Sequence, residues 1–151
     1  MFVGTFRHQL DSKGRVAVPA PFRRGLPEGS MVAIGADGRI VLYPPDEFGD
    51  LVERSRRSSS TAAEERALNR RLLGSARELE LDAQGRMLVA PDHRTFAHIA
   101  DRAVFTGVGN LVEVVGEAVW DEETSTFDAA AFTELHDRVN QAGRFAAPHE
   151  S

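Results

Sequence analysis

Apolar and polar positions alternate loosely from Phe2 to Leu10, which fits a half-buried strand, and the chain then turns through Asp11-Ser12-Lys13-Gly14-Arg15, where Gly14 is free to adopt positive φ. Val16, Val18 and Pro19 resume an extended run. Pro19-Ala20-Pro21 opens a helical turn reaching Leu26, because proline is well placed at a helix start. Met31 to Gly35 and Arg39 to Tyr43 flank Asp37-Gly38, a strong hairpin signal. Pro44-Pro45-Asp46-Glu47 starts a helix with Phe48, Leu51 and Val52 on one side, fading into Ser55 to Ser60. Thr61 with Glu64 fits a capping box for the next helix. Ala67, Leu68 and Leu72 give that helix an apolar stripe, and Gly74 is a natural C-terminal cap.

The plan is then repeated. Laying Leu10 to Tyr43 over Leu81 to Val114, at a constant shift of 71, gives eight identities in 34 ungapped positions: Leu10, Asp11, Gly14, Arg15, Val18, Arg23, Gly38 and Val41 match Leu81, Asp82, Gly85, Arg86, Val89, Arg94, Gly109 and Val112. Two copies of this period point to a duplicated small domain rather than a solenoid. Each copy is expected to run strand, turn, strand, short helix, hairpin. In the second, Met87 to Ala90 is the strand, Pro91 to Phe96 the helical turn, and Ala103 to Val108 leads over Gly109-Asn110 into Leu111 to Val115. Trp120 takes a place like that of Phe48. Asp128 then caps a helix whose Phe132, Leu135 and Val139 share a face, Gly143 ends it, and residues 144–151 are expected to fray.

Length sharpens the picture. A unit of roughly 45 residues cannot bury an adequate core alone, and with no cysteine neither disulfides nor thiolate metal sites can help. Pairing between the copies, or between chains, must supply the missing core. The absence of cysteine is compatible with a reducing cytoplasm. Arg7, His8, Asp11, Lys13 and Arg15 break up residues 1–20, so neither a signal peptide nor a spanning helix is expected there. The net charge of −5 argues at first against nucleic acid, but its distribution does not: residues 1–110 hold 16 basic against 14 acidic side chains, a net +2, and residues 111–151 hold 2 against 9, a net −7.

The repeated Asp-x-x-x-Arg turns carry the candidate chemistry. At this spacing the carboxylate can accept turn amides or the Arg side chain, which restricts the rotamers that the Arg must give up on binding. Two readings stand side by side: a stabilised loop, and an arginine held at a strand end to read guanine O6 and N7 in a major groove. Twin tips suit a repeated target such as duplex half-sites. For Arg66, Arg70 and Arg71, a solvated helix face is preferred to direct DNA contact. The five histidines never stand at helical ligand spacing, Gly107-Val108-Gly109 lacks the rest of a dinucleotide fingerprint, and Asp121-Glu122-Glu123 has no nucleophile beside it. No catalytic residues, cofactor, metal or small-molecule substrate are therefore expected.

Met1-Phe2-x-Gly4 leading into Leu10 to Arg15 and Val18-Pro19, with Arg70-Arg71-Leu72-Leu73-Gly74 before Asp82 to Arg86, resembles the MraZ family of bacterial transcriptional regulators over about residues 1–123. The resemblance implies a mainly β fold with short helices (α+β), made of two tandem swapped-hairpin SpoVT/AbrB-like domains packed as an intrachain pseudo-dimer. These would be residues 5–47 and 76–119, with a helical connector at 48–75 and a C-terminal helix and acidic tail at 120–151. It implies a homo-oligomeric ring that binds double-stranded DNA at G-rich direct repeats in its own promoter region and regulates the division and cell-wall gene cluster. Such a protein would be cytoplasmic and nucleoid-associated, with no membrane partner. Carried over residue by residue, the DNA-contacting turns fall on Asp11, Lys13 and Arg15, and on Asp82 and Arg86; Arg7, Arg23 and Arg94 are secondary contact candidates. Gln84 stands where the first turn has Lys13, and the tail after Glu123 departs from the pattern. The competing reading is an oligomeric scaffold or antitoxin-like partner binder that uses the acidic tail.

Overall fold

A computed structural model describes residues 1–57 and 62–143. The first unit, Met1–Ala118, holds strands β1 (Phe2–Gln9), β2 (Arg15–Ala17), β3 (Met31–Ile34), β4 (Ile40–Tyr43), β5 (Arg77–Glu78), β6 (Arg86–Leu88), β7 (Arg102–Gly109) and β8 (Val112–Gly116). Helices α1 (Ala20–Arg23), α2 (Pro45–Arg57), α3 (Ala63–Gly74) and α4 (Pro91–Phe96) connect them, and α5 (Glu117–Thr124) begins at its end.

The copies complete each other, as their size requires. One sheet runs β1-β7-β8-β4-β3-β5, so strands from the two copies alternate in blocks, and β2 pairs with β6 in a separate two-stranded ribbon. All these pairings are antiparallel. An approximate two-fold relates the halves: β1 on β7 mirrors β5 on β3, while β4 with β8 and β2 with β6 lie on the axis. A single apolar cluster contains Leu10, Val16, Val18 and Phe22 from the first copy and Met87, Val89, Ile99 and Phe105 from the second. Phe2 and Phe6 both meet the Phe22 ring edge-on, at 5.6 and 5.2 Å between centroids, which fastens β1 over α1. A smaller cluster of Ala33, Val41 and Tyr43 takes Phe48 and Leu51 from α2 and Leu72 from α3.

The ladders correct the ungapped alignment. Met31 faces Glu78 as Arg102 faces Gln9, so with β3 and β7 offset by 71, β1 and β5 are offset by 69. Likewise Val32 faces Leu42 while Ala103 faces Gly116, which sets β4 and β8 apart by 74. The matches Gly38 with Gly109 and Val41 with Val112 are thus not structural equivalents. At the strand end, the Leu10 amide donates to Asp101 O and the Leu79 amide to Ser30 O, both at 2.8 Å. Leu79, not Leu81, is the structural equivalent of Leu10, and both are buried. The second copy therefore carries two extra residues, Glu80 and Leu81, between its first strand and its turn.

The ends and the apolar stripe of α3 differ from expectation. Thr61 lies outside the described residues, and α3 is instead preceded by Ala62, which makes no side-chain cap. Gly74 is the last helical residue rather than a left-handed cap, because Ser75 closes the helix: its hydroxyl donates to Leu72 O at 2.7 Å and accepts the Ile34 amide at 3.0 Å. Of the expected α3 stripe only Leu72 packs; Ala67 is exposed and Leu68 is 63% exposed.

The second unit, Val119–Ser151, holds the remainder of α5 and α6 (Ala129–Gln141). Asp128 caps α6 as expected, its Oδ1 accepting the Ala131 amide at 2.9 Å, and Gly143 follows the helix at φ +74°. Phe132 meets Phe127 edge-on and stacks on His136, yet Phe127, Phe132 and Leu135 remain largely exposed. The fraying expected for 144–151 falls outside the described residues.

Candidate nucleic-acid interface

Each copy of Asp-x-x-x-Arg folds into the same closed turn. Asp11 Oδ1 accepts the backbone amides of Lys13 and Arg15, each at 2.9 Å, and Oδ2 accepts the Arg15 Nε–H at 2.8 Å. Asp82 repeats this, with Oδ1 accepting the amides of Gln84 and Arg86 and Oδ2 the Arg86 Nε–H, all at 2.9 Å. The backbone closes beneath: the Asp11 amide donates to Arg15 O and Gly14 N–H to Asp11 O, and Asp82, Arg86 and Gly85 do likewise. Only Gly14 at φ +80° and Gly85 at φ +76° need the left-handed region. The carboxylate that closes each turn thus also fixes its arginine through Nε.

The charge chemistry follows from those donors. The Arg15 amide, the Arg15 side chain and the Lys13 amide hold Asp11 well below its ordinary range, at about 2, against the opposing effect of desolvation. Asp82 is lowered for the same reasons, the Arg86 amide first. Both are anions at neutral pH and keep their arginines oriented. Arg15 commits Nε to Asp11, and its two terminal nitrogens make no hydrogen bond to any described residue. Lys13 is exposed at the tip.

The two turns are brought together by β2 and β6. Arg15 faces Leu88 and Ala17 faces Arg86, and the copies bond crosswise, Val18 N–H to Gly85 O and Val89 N–H to Gly14 O, both at 3.0 Å. Arg86 also reaches the other copy, its Nη1 lying 3.5 Å from Asp11 Oδ2.

The secondary candidates take different places. Arg23 Nε donates to Val18 O at 2.8 Å, and its guanidinium lies directly under the second turn. Arg94 donates to Ile99 O and Ala100 O and lies under the first. Each copy's short helix therefore supports the other copy's turn, which sequence reasoning did not foresee although the Arg23–Arg94 identity was its signal. Arg7 stands on β1 and donates to Glu117, which also accepts Arg102 Nε, so it serves the sheet edge. His93 is buried, with Nε2 2.8 Å from Ser75 O. Among the described residues no group of three or more His, Cys, Asp or Glu side chains is placed to hold a metal, and no helix is long and apolar enough to cross a membrane.

A duplicated chain whose halves exchange strands and present paired, carboxylate-anchored arginine turns is a tandem swapped-hairpin protein of the SpoVT/AbrB-like kind. The family model described as "MraZ protein, putative antitoxin-like" matches residues 1–71 and again 72–142. The chain is 43% identical over 121 residues to the "Transcriptional regulator MraZ" of Natranaerobius thermophilus, covering 80% of this chain and 85% of that one. Like-named proteins of Corynebacterium kroppenstedtii (36% over 142 residues, 89% of this chain and 99% of that one) and Mycolicibacterium smegmatis (36% over 143 residues, 92% and 100%) are also similar. The chain belongs to the MraZ family.

Proposed function

We propose that this protein is a sequence-specific, double-stranded DNA-binding transcriptional regulator and not an enzyme. Its target is a set of G-rich direct repeats in its own promoter region, upstream of a division and cell-wall gene cluster. Residues 5–47 and 76–119 are the two reading modules, joined by 48–75, and several chains assemble as a homo-oligomeric ring associated with the nucleoid. Asp11, Lys13 and Arg15 form one contact point, and Asp82 and Arg86 the other. One observation carries this reading: Asp11 fixes the Arg15 guanidinium through Nε and leaves both terminal nitrogens available, the donor pair that guanine O6 and N7 accept. Names borne by relatives, "Transcriptional regulator MraZ", support it. Footprinting on the promoter of the protein's own operon tests it, with evenly spaced protected repeats expected. Affinity should also fall steeply with salt as condensed counterions are released. An unprotected promoter, or affinity indifferent to salt, would rule the reading out.

A second reading is favoured by the exposed Phe127, Phe132 and Leu135 in a segment rich in acidic residues: a partner-binding role of the antitoxin-like kind for the C-terminal unit. Deleting 124–151 separates the two. Loss of a captured partner with DNA binding intact assigns the tail that role, and DNA binding lost without loss of assembly counts against it.

A further inference from the structure

We propose that the chain binds its repeats with a fixed polarity, because the two halves of its DNA-facing end are chemically unequal; this rests on the DNA-binding reading above. A truly two-fold module would fit an inverted repeat and would lie on a direct repeat in either orientation. Three departures from two-fold symmetry break that degeneracy here, and all are at the turns.

The first is at the tips. Lys13 puts a mobile cation on the first turn, and Gln84 puts a neutral amide on the second. The second departure concerns the arginines. Arg86 spans both carboxylates, Asp82 at 2.9 Å and Asp11 at 3.5 Å, whereas Arg15 touches Asp11 alone. Arg15 is the reading residue, and Arg86 is in part a positioning residue that helps hold the first turn's anchor. The third is the insertion of Glu80 and Leu81 beside the second turn. With Arg15, Asp82, Arg86 and Leu88 they line a hollow of about 270 Å³ between the two arginines, and Glu80 adds there a carboxylate for which the first copy has no counterpart.

The surroundings extend the difference. Beside the first turn a groove of about 850 Å³ is lined by Lys13, Arg94 and His98 over an apolar floor that includes Leu88 and Ile99. At the constant shift of 71 found in the sequence, the second turn has Arg23 in the place of Arg94, but Gln84 for Lys13, Pro27 for His98, Ala17 for Leu88 and Glu28 for Ile99. Arg23 is wedged against Gly85: a Cβ there would lie 2.5 Å from its Cζ, while one on Gly14 would clear Arg94 by 3.4 Å. Arg24 does add a cation on the second side, but Glu28 offsets it. A phosphate is thus gripped beside the first turn by Lys13 and Arg94, and the second turn seats more loosely.

The chain has no cysteine, so Ser12→Cys and Ala83→Cys, at exposed tip positions, each give one attachment point for an iron chelate that cuts nearby DNA through hydroxyl radicals. On a duplex carrying the protein's own promoter repeats, the reagent at position 12 should cut one edge of every repeat and at position 83 the opposite edge. Both positions cutting both edges equally, with repeats still protected, would overturn the polarity and leave the DNA-binding reading standing. Absence of any protection would instead overturn that reading. Lys13→Gln should lower affinity about tenfold and reduce the salt slope by about one, as loss of one phosphate contact requires, whereas Gln84→Lys should make cleavage appear at both edges. An unchanged single-edge pattern in Gln84→Lys would count against the tips as its source.

Discussion

Replacing each turn glycine by alanine separates backbone strain from the cross-copy support beneath the turns. Gly14→Ala at φ +80° meets no atom closer than 3.4 Å, so it incurs only the left-handed penalty, about 1–2 kcal/mol. Gly85→Ala at φ +76° incurs the same penalty and in addition drives its Cβ to 2.5 Å from Arg23 Cζ and Nε. Arg23 is a flexible side chain and can move, but doing so breaks its bond to Val18 O, at a net loss of about 1 kcal/mol. Gly85→Ala should therefore cost about 2–3 kcal/mol and Gly14→Ala about 1–2. For a unit of this size that difference is about 4 °C in melting temperature, measurable by far-ultraviolet circular dichroism. The double variant Arg23→Ala/Gly85→Ala closes the cycle: in the Arg23→Ala background the alanine should cost no more than at position 14. Equal losses for the two single variants, or an unchanged cost in that background, would refute the support assigned to Arg23.

Three further outcomes follow from the same geometry. Asp11 titrates lower in the folded chain than unfolded, so its contribution is complete above its ordinary range and is lost as pH falls toward about 2; Asp11→Asn should narrow its stability deficit relative to the parent between about pH 4 and pH 2, followed by urea denaturation. Gly107→Ala drives a Cβ into the backbone of Phe2 and Val3, so β1 should lift from β7 and the amides of Thr5 to Arg7 should lose protection in hydrogen exchange, while Gly109→Ala, strained at φ +98° but clear of other atoms at the far end of the ladder, should leave them protected. Ser75→Ala strips the Ile34 amide of its acceptor and should destabilise by about 1–3 kcal/mol in the same denaturation assay.

Much of this architecture is legible in the sequence because local chemistry determines it. Pro91 starts α4 and Asp37-Gly38 makes the first hairpin turn, with Asp37 itself at φ +59°. Asp128 caps α6 through its own side chain. Other features depend on which element meets which, and periodicity carries no such information. Nothing local to Phe2–Gln9 says that it pairs with residues about a hundred positions away. The Glu80-Leu81 insertion is hidden because an ungapped alignment rewards Leu81 for matching Leu10, whereas burial selects Leu79. Leu68 resembles a core residue because helical spacing reports an apolar stripe whether or not a partner covers it. At the site, the Asp-x-x-x-Arg spacing specifies the closed turn itself. The roles of Arg23 and Arg94 emerge only from the exchange of strands, since each supports a turn that is distant in sequence.

Whether the anchored arginines make the DNA contact is tested most directly by fluorescence anisotropy of a labelled duplex bearing the promoter repeats. The duplex is titrated with the parent and with Arg15→Ala/Arg86→Ala, once circular dichroism has shown both proteins folded. The double variant should lose at least about 2 kcal/mol of binding, roughly thirtyfold in affinity, if Arg15 reads a base and Arg86 both contacts DNA and holds the first turn's anchor. A folded double variant that binds the repeats as tightly as the parent, with the same salt dependence, would contradict the role assigned to the turns.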